Sequence, residues 1–338
     1  MKPIEDVREI SALTYGFIAS KALFAAVELD LFTKIAQGID TLPTLAAAAG
    51  VAANRTRTLL TTLKTIGLIS EKDGRFANAP ATATYLVDGA PGDFRDYVRV
   101  VNGGFLYEGL RHLDQALRGQ RVFPDKGFYE GILYSDGGVG GPAFSAAQHA
   151  GSLGPARLLA KRVDLAGART LLDVGGGSGA YTLAFLKQNP RLSATILDFP
   201  DTVSTSTRYA AEAGMSDRVR HLAGNAITTQ WPAGQDVVLM SYLWSAVGGN
   251  DIRLLARRAY ESLRPGGLVL VHDFMVDDAH EAPGFAAMYL LSAVLDNPDA
   301  ECLTPAFVEG ALRDAGFEID GTETMLAEIT SVTRARRR

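Results

Sequence analysis

The chain has 338 residues, enough for two domains and a large core. Apolar residues make up 47% and charged residues 21%, the ordinary balance of a soluble globular protein, and a net charge of −5 supplies no overall basic field for nucleic acid. A single cysteine, Cys302, excludes an intrachain disulfide and a multi-cysteine zinc site; with no unbroken apolar run of about 18 residues and no signal-peptide pattern, a cytoplasmic chain with no membrane partner is expected.

Residues 9–37 carry Ile10, Leu13, Phe17, Leu23, Phe24, Val27, Leu31 and Phe32 at three- and four-residue steps, which predicts helix. Phe17, Ile18, Leu23 and Phe24 make the apolar surface wide for one helix pair. It is either a core face or, the sharper reading, the seat of a partner subunit. Over residues 41–76, Thr41 caps a helix with Pro43 in its first turn, and Gly50 ends it. Asn54 is expected to cap the next helix, which carries Leu59, Leu60, Leu63 and Ile66 and stops at Gly67. A hairpin over 68–76 turns at Asp73-Gly74. Helix, turn, helix and wing make a winged helix. Its second helix offers only Arg55, Arg57 and Lys64 beside Leu and Thr, too few cations for a phosphate backbone. A structural role without nucleic acid is expected.

Residues 92–160 read as a helical connector, with Phe94, Tyr97, Val98 and Val101, then Leu110, Leu113 and Leu117 closed by Gly119. The Gly-rich stretch 135–142 is the most flexible by composition. A helix follows from Ala143, bearing Gln148, His149 and Ser152; His149 is either a ligand-facing base or a half-buried side chain. The first domain is taken as 1–161 and the second as 162–338.

From residue 170 strands and helices alternate, which predicts an α/β fold: a Rossmann-like doubly wound sheet with an antiparallel last strand, behind an N-terminal all-α winged-helix domain. Strands are expected near 170–174, 194–198, 219–222, 236–241 and 268–273, with a closing pair at 316–321 and 327–334. Residues 334–338, Arg-Ala-Arg-Arg-Arg, read as a solvated tail. Ligands of such sheets sit at the carboxyl ends of the strands, so Asp173, Asp198, Asn225, Ser241 and Asp273 fall on one rim.

The centre of that rim is Leu171-Leu172-Asp173-Val174-Gly175-Gly176-Gly177-Ser178-Gly179. Gly175, Gly177 and Ala180 also satisfy the dinucleotide fingerprint, so the turn alone does not choose a ligand. Asp198, ending the second strand, suits ribose hydroxyls of either NAD or S-adenosylmethionine (SAM). Asp173 separates them: a carboxylate there repels a pyrophosphate and favours an ammonium group, hence SAM.

These motifs, followed by Leu197-Asp198-Phe199-Pro200, Gly224-Asn225 and Leu263-Arg264-Pro265-Gly266-Gly267, resemble the SAM-dependent small-molecule O-methyltransferases with an N-terminal dimerisation domain. The resemblance covers nearly the whole chain. It implies a homodimer acting on a small aromatic molecule, with the winged helix serving dimerisation. It also implies that the Gly-rich turn with Asp173, Gly175 and Gly177 lies against the methionyl end of SAM, near Ser241 and Ser152. Asp198 and Phe199 would hold the ribose, and Asn225 and Ala226 the adenine. No metal is implied.

One departure concerns the reaction. The family's general base is a His in a Leu-His-Asp-Trp run, which here reads Trp244-Ser245-Ala246-Val247. Asp273 matches one of the acids that orient that His, and Glu301 falls one residue from the other. Three readings stay open: an acceptor acidic enough to ionise unaided, a base relocated to His149 or Asp296, or methylation of carbon. Residues 105–110, 118–123 and 244–246 also resemble the bacteriochlorophyll C-20 methyltransferases, which lack the His too, and so imply a pyrrole-type or fused-ring acceptor. Tyr107, Trp244, Asp296 and Asn297 are the expected acceptor contacts; Ser245, Asp273 and His149 are the catalytic candidates. Rival classes are a nicotinamide oxidoreductase, a winged-helix regulator with a ligand-sensing domain, and a SAM-binding protein with non-methylating chemistry.

Overall fold

The structure, a computed structural model, describes residues 3–120, 122, 142–295 and 297–338. Asp296 and nearly all of the Gly-rich stretch 135–142 lie outside the described residues. The chain forms two compact units, Met1–Glu108 and Gly109–Arg338.

In the first unit, α1 (Val7–Glu28) opens with a capping box: Asp6 accepts the Arg8 N–H at 2.7 Å, and Glu9 accepts the Asp6 N–H at 3.0 Å. The predicted continuous helix breaks at Asp30, whose left-handed backbone (φ +53°) starts α2 (Leu31–Ala36). Thr41 caps α3 (Leu42–Ala49), and Gly50 ends it at φ +65°. Helix α4 (Ala53–Thr65) begins one residue before Asn54, with Ala52 in the capping position, so Asn54 is not its cap. The hairpin β1 (Ile69–Lys72) and β2 (Arg75–Asn78) pairs Lys72 with Arg75 across Asp73 and Gly74, both at positive φ. That is the turn geometry matching the strands' right-handed twist. Lys64 is ion-paired to Glu71 of the wing, leaving even fewer cations for a phosphate.

Leu31, Phe32, Leu45, Leu60, Leu63 and Phe76 form the core of this unit. Helix α1 gives it little: only Ala26 and Val27 are buried, while Ile10, Leu13, Phe17 and Ile18 are exposed. Helix α1 is long and apolar enough, by length and composition only, to cross a membrane. A short helix, α5 (Pro80–Tyr85), is followed by a π-helical stretch, Tyr97–Leu106, which buries Val98, Val101 and Phe105 and packs on α1. Its continuation, α6 (Tyr107–Gly109), straddles the unit boundary, and α7 (Leu113–Leu117) follows in the second unit.

The second unit begins well before residue 162. Helix α8 (Pro142–Arg162) packs on α9 (Ala180–Gln188), burying Ala156, Leu159 and Ala160 with Phe185 and Leu186 in one apolar cluster. The compact unit Gly109–Arg338 thus takes in α8 together with the sheet. The sheet is β5 (Val219–Ala223), β4 (Ser193–Asp198), β3 (Thr170–Val174), β6 (Gln235–Ser241), β7 (Leu263–Asp273), β9 (Thr330–Arg337) and β8 (Phe317–Leu326), in that spatial order. The strands β3 to β7 are parallel to their neighbours, and β9 runs antiparallel between β7 and β8. Helices α8, α9 and α10 (Pro200–Glu212) belong with one face, and α11 (Gly249–Ser262), α12 (Gly284–Ala293) and α13 (Pro305–Asp314) with the other.

The arginine-rich C-terminus is no solvated tail. Residues up to Arg337 are in β9, because acids on the facing strand receive them: Arg334 pairs with Glu323, and Arg336 with Asp320 at 3.1 Å.

Candidate active site at the carboxyl ends of the strands

Strand β3 ends at Asp173-Val174, and the chain turns through Gly175, Gly177 and Gly179, all at positive φ, into α9. The Gly175 N–H donates to the Leu197 carbonyl at 2.8 Å, fastening the turn to β4. Position 176 must be glycine, since a Cβ there would meet the Asp173 carboxyl carbon at 2.8 Å; a Cβ on Gly177 would meet only open space. The backbone of Gly177 is thus a cradle that any side chain would fill.

Asp198, at the end of β4, accepts the N–H groups of Gly177 and Phe199, each at 2.7 Å. Burial pushes its carboxyl up, against those two bonds. Phe199 caps α10. Beyond β5, the Asn225 side-chain oxygen accepts the Ile227 N–H at 2.7 Å and keeps a second lone pair. The neighbouring Ala226 carbonyl takes the Trp231 indole N–H at 3.0 Å.

Asp173 is buried, 1% exposed. The Thr182 hydroxyl donates to its Oδ2 at 2.6 Å, while Oδ1 has no hydrogen-bond partner among the described residues. Burial pushes this carboxyl up to about 7, Thr182 pulls it down, and the Asp198 charge adds to the rise. A buried oxygen without a donor costs about 1–3 kcal/mol, which a cationic ligand group removes while pulling the pKa back down. An orphaned anionic oxygen beside an open backbone cradle fits the ammonium end of SAM.

The β6–β7 half is finished differently. Trp244–Ala246 is a single 3₁₀ turn, and Asp273 holds it: Oδ2 accepts the Ser245 N–H at 3.1 Å, and Oδ1 accepts the Phe274 N–H at 2.9 Å. Asp273 is wholly buried, and burial pushes it up to about 6 despite these bonds. Trp244 leaves the expected acceptor wall. It is 0% exposed, its indole N–H directed at the Met240 sulfur (3.3 Å), because the 3₁₀ turn points it into the core.

His149 does not stand in the place of the missing base. Its Nδ1 is 2.8 Å from the Ser178 hydroxyl in the glycine turn, and its ring stacks on Tyr209 at 3.6 Å. Burial, then the charges of Arg208 and Arg157, push its pKa down to about 4, which leaves it neutral and a poor base near pH 7. Ser152, three residues along the same helix, is half-buried. Asn297 accepts the Asp299 N–H at 2.9 Å. The carboxylate of Glu301 lies against Gly249, in the first turn of α11, where a negative charge suits the helix dipole. Tyr107 belongs to the first unit, packed edge-on against Phe24 under the Lys21 ammonium.

Sequence reasoning missed an aromatic ladder. Tyr242 follows β6 with a left-handed backbone (φ +55°), which is rare for an aromatic residue. Its ring lies 5.0 Å from that of Phe274, which stacks on Tyr289 of α12 at 3.5 Å. The available signal was an aromatic residue just past the ends of both β6 and β7.

An O-methyltransferase domain model matches residues 143–318, and an O-methyltransferase dimerisation domain model matches residues 11–88. The 3-hydroxy-5-methyl-1-naphthoate 3-O-methyltransferase of Streptomyces sahachiroi is 30% identical over 91% of this chain and 88% of its own. The bacteriochlorophyllide d C-20 methyltransferase of Chlorobaculum tepidum is 30% identical over 82% of each chain. Among solved structures, the S-adenosylmethionine-dependent methyltransferase SibL has a TM-score of 0.79 at 26% identity, covering 98% of this chain and 99% of that one. Fold, rim and comparisons define a methyltransferase whose methyl donor is SAM. The chain belongs to the O-methyltransferase family with an N-terminal dimerisation domain.

Proposed function

We propose that this enzyme methylates a hydroxyl group on an aromatic or heteroaromatic small molecule, and that orientation rather than a general base drives the reaction. The feature that supports the reading is Ser245, which stands where the resemblance puts the family's His and whose N–H donates to Asp273. A serine hydroxyl has no useful basicity near pH 7. Bound SAM would supply an electrophilic sulfonium methyl: the ionised acceptor oxygen would form the new O–C bond as the S–C bond breaks, S-adenosylhomocysteine would leave, and the acceptor's proton would go to solvent. Asp173 and the turn at Gly175 and Gly177 hold the amino-acid end, Asp198 the ribose, and Asn225 the adenine. Asp273 fixes the 3₁₀ turn, and Ser245 positions the acceptor. The Tyr242–Phe274–Tyr289 ladder supports a flat ring and excludes water. Orientation is worth on the order of 7–11 kcal/mol in favourable cases, against a factor of roughly 10²–10⁴ from a base, so loss of the His is survivable.

The naphthoate relative supports a fused-ring phenol as acceptor. Carbon methylation is the second reading, favoured by the C-20 methyltransferase relative and by the L-tyrosine C(3)-methyltransferase of Streptomyces lavendulae, 29% identical. Incubation with methyl-labelled SAM and a set of hydroxynaphthoates and polycyclic phenols, followed by fragmentation mass spectrometry, separates the two. Label on oxygen is expected; label only on ring carbon replaces the first reading by the second.

The exposed face of α1, most of it within the matched dimerisation domain, supports a homodimer. Such an interface buries well over ~2,000 Å². Light scattering at micromolar concentration is expected to give twice the chain mass; the chain mass itself would end the proposal.

A further inference from the structure

Three buried polar side chains share one face of the sheet: Ser241 at the end of β6, His272 beside it on β7, and Thr330 at the start of β9. Ser241 Oγ is 2.8 Å from His272 Nδ1, and His272 Nε2 is 2.9 Å from Thr330 Oγ1. Burial pushes the His272 ring down to about 3, so it is neutral: one nitrogen donates and the other accepts.

Two polarities follow. If Ser241 donates to Nδ1, Nε2–H donates to Thr330, and the Thr330 proton is left without an acceptor among the described residues at 2% exposure. An unpaired buried hydroxyl is disfavoured. In the reverse polarity Thr330 donates to Nε2, Nδ1–H donates to Ser241, and the free proton is that of Ser241. Ser241 is 9% exposed, and the pairing of Val174 with Met240 sets it beside Gly175 at the start of the glycine turn. Strand alternation puts it on the same face as Asp173, whose register partner is Leu239. The Tyr181 hydroxyl, buried beside Ser241 without a full hydrogen bond, can donate to the remaining Ser241 lone pair and leave this direction unchanged.

We infer that Thr330, His272 and Ser241 form a one-way hydrogen-bond chain that aims the Ser241 proton at the carboxylate of the SAM amino-acid end. Asp173 matches the ammonium of that zwitterion, and the chain matches its carboxylate. His272 and Thr330 are positioning residues acting through Ser241. The inference rests on the placement of the amino-acid end proposed above.

The test is calorimetric titration of the full chain with S-adenosylhomocysteine and with 5′-methylthioadenosine, which lacks the amino-acid end. The unaltered chain is expected to bind both. Thr330→Val and His272→Leu are expected to weaken S-adenosylhomocysteine about tenfold or more, as for a lost bond to a charged group, and methylthioadenosine less than about twofold. His272→Asn, whose amide can donate from the Nδ1 position, should recover most of the loss. Equal losses on both ligands, or none on either, overturn the chain while leaving cofactor binding standing. An unaltered chain that binds neither ligand overturns both. If the Leu variant does not fold, ¹⁵N NMR of unaltered His272 decides: a protonated Nδ1 is expected, and a protonated Nε2 overturns the inference.

Discussion

Asp173 and Asp273 end neighbouring parts of the same rim, both buried and both pushed up in pKa, yet they do different work. Asp173 keeps one oxygen without a partner among the described residues; both Asp273 oxygens hold the protein's own backbone. An unsatisfied buried acceptor is a cost that persists until a ligand arrives, so it points outward to function. A satisfied one points inward to shape. Burial does not distinguish a binding acid from a positioning acid, but hydrogen-bond satisfaction does. The β3–β4 half is built to take a charged ligand, and the β6–β7 half is built to hold a turn still.

The strongest way to break this contrast is to fill the cradle. Gly177→Val places a β-branched side chain at φ +57° in the open space. Its strain and bulk should weaken SAM binding about a hundredfold or more by titration. Near-unchanged affinity would remove the glycine turn from the site. Asp198→Ala removes an acceptor of two turn N–H groups as well as the proposed ribose contact, and should cost roughly 1–3 kcal/mol of SAM affinity. An unchanged titration curve would refute the ribose role.

A gentler probe uses pH. Asp173 titrates near 7 unliganded, and a cation beside it favours its charged form. S-adenosylhomocysteine affinity should therefore rise roughly five- to tenfold between about pH 6 and 7.5, with proton release on binding. Asp173→Asn should flatten that rise; an equally steep rise in the variant would take Asp173 out of the ligand's reach. The fold itself moves the opposite way. Raised carboxyl pKa values give stability that is present below about pH 4 and lost as pH rises through about 6 for Asp273 and about 7 for Asp173. The smallest expected effect is at Ser245. Ser245→Ala should lower kcat about tenfold or less with SAM affinity intact, the loss of one neutral hydrogen bond. A thousandfold loss would show a proton relay through Ser245 to Asp273 and erase the contrast.

What could be read beforehand was set by spacing along the chain. Asp173, the alternating glycines and the acid ending the next strand fix a turn and its neighbour through covalent geometry, and the structure places them together. The capping Thr41 and the Asp73-Gly74 turn are local in the same sense. What could not be read depends on residues far apart. Trp244, an acceptor contact by sequence, is buried with its indole N–H on the Met240 sulfur, a placement set by the packing of the 3₁₀ turn against the core. The C-terminal arginines read as a tail because the acids that pair with them, Asp320 and Glu323, sit on another strand. His272 meets Thr330, 58 positions on, through a contact that no local spacing signals.

The central claim is that the protein orients the acceptor and takes no proton from it. The most direct measurement is the pH dependence of kcat/KM for the acceptor, at SAM concentrations saturating throughout the pH range, across phenolic acceptors of graded acidity. If no protein group acts as base, the rising limb should track the pKa of each acceptor and shift as the acceptor is changed. A limb that stays fixed near pH 6–7 for every acceptor would reveal a protein base, with Asp273 the first suspect, and would contradict the account.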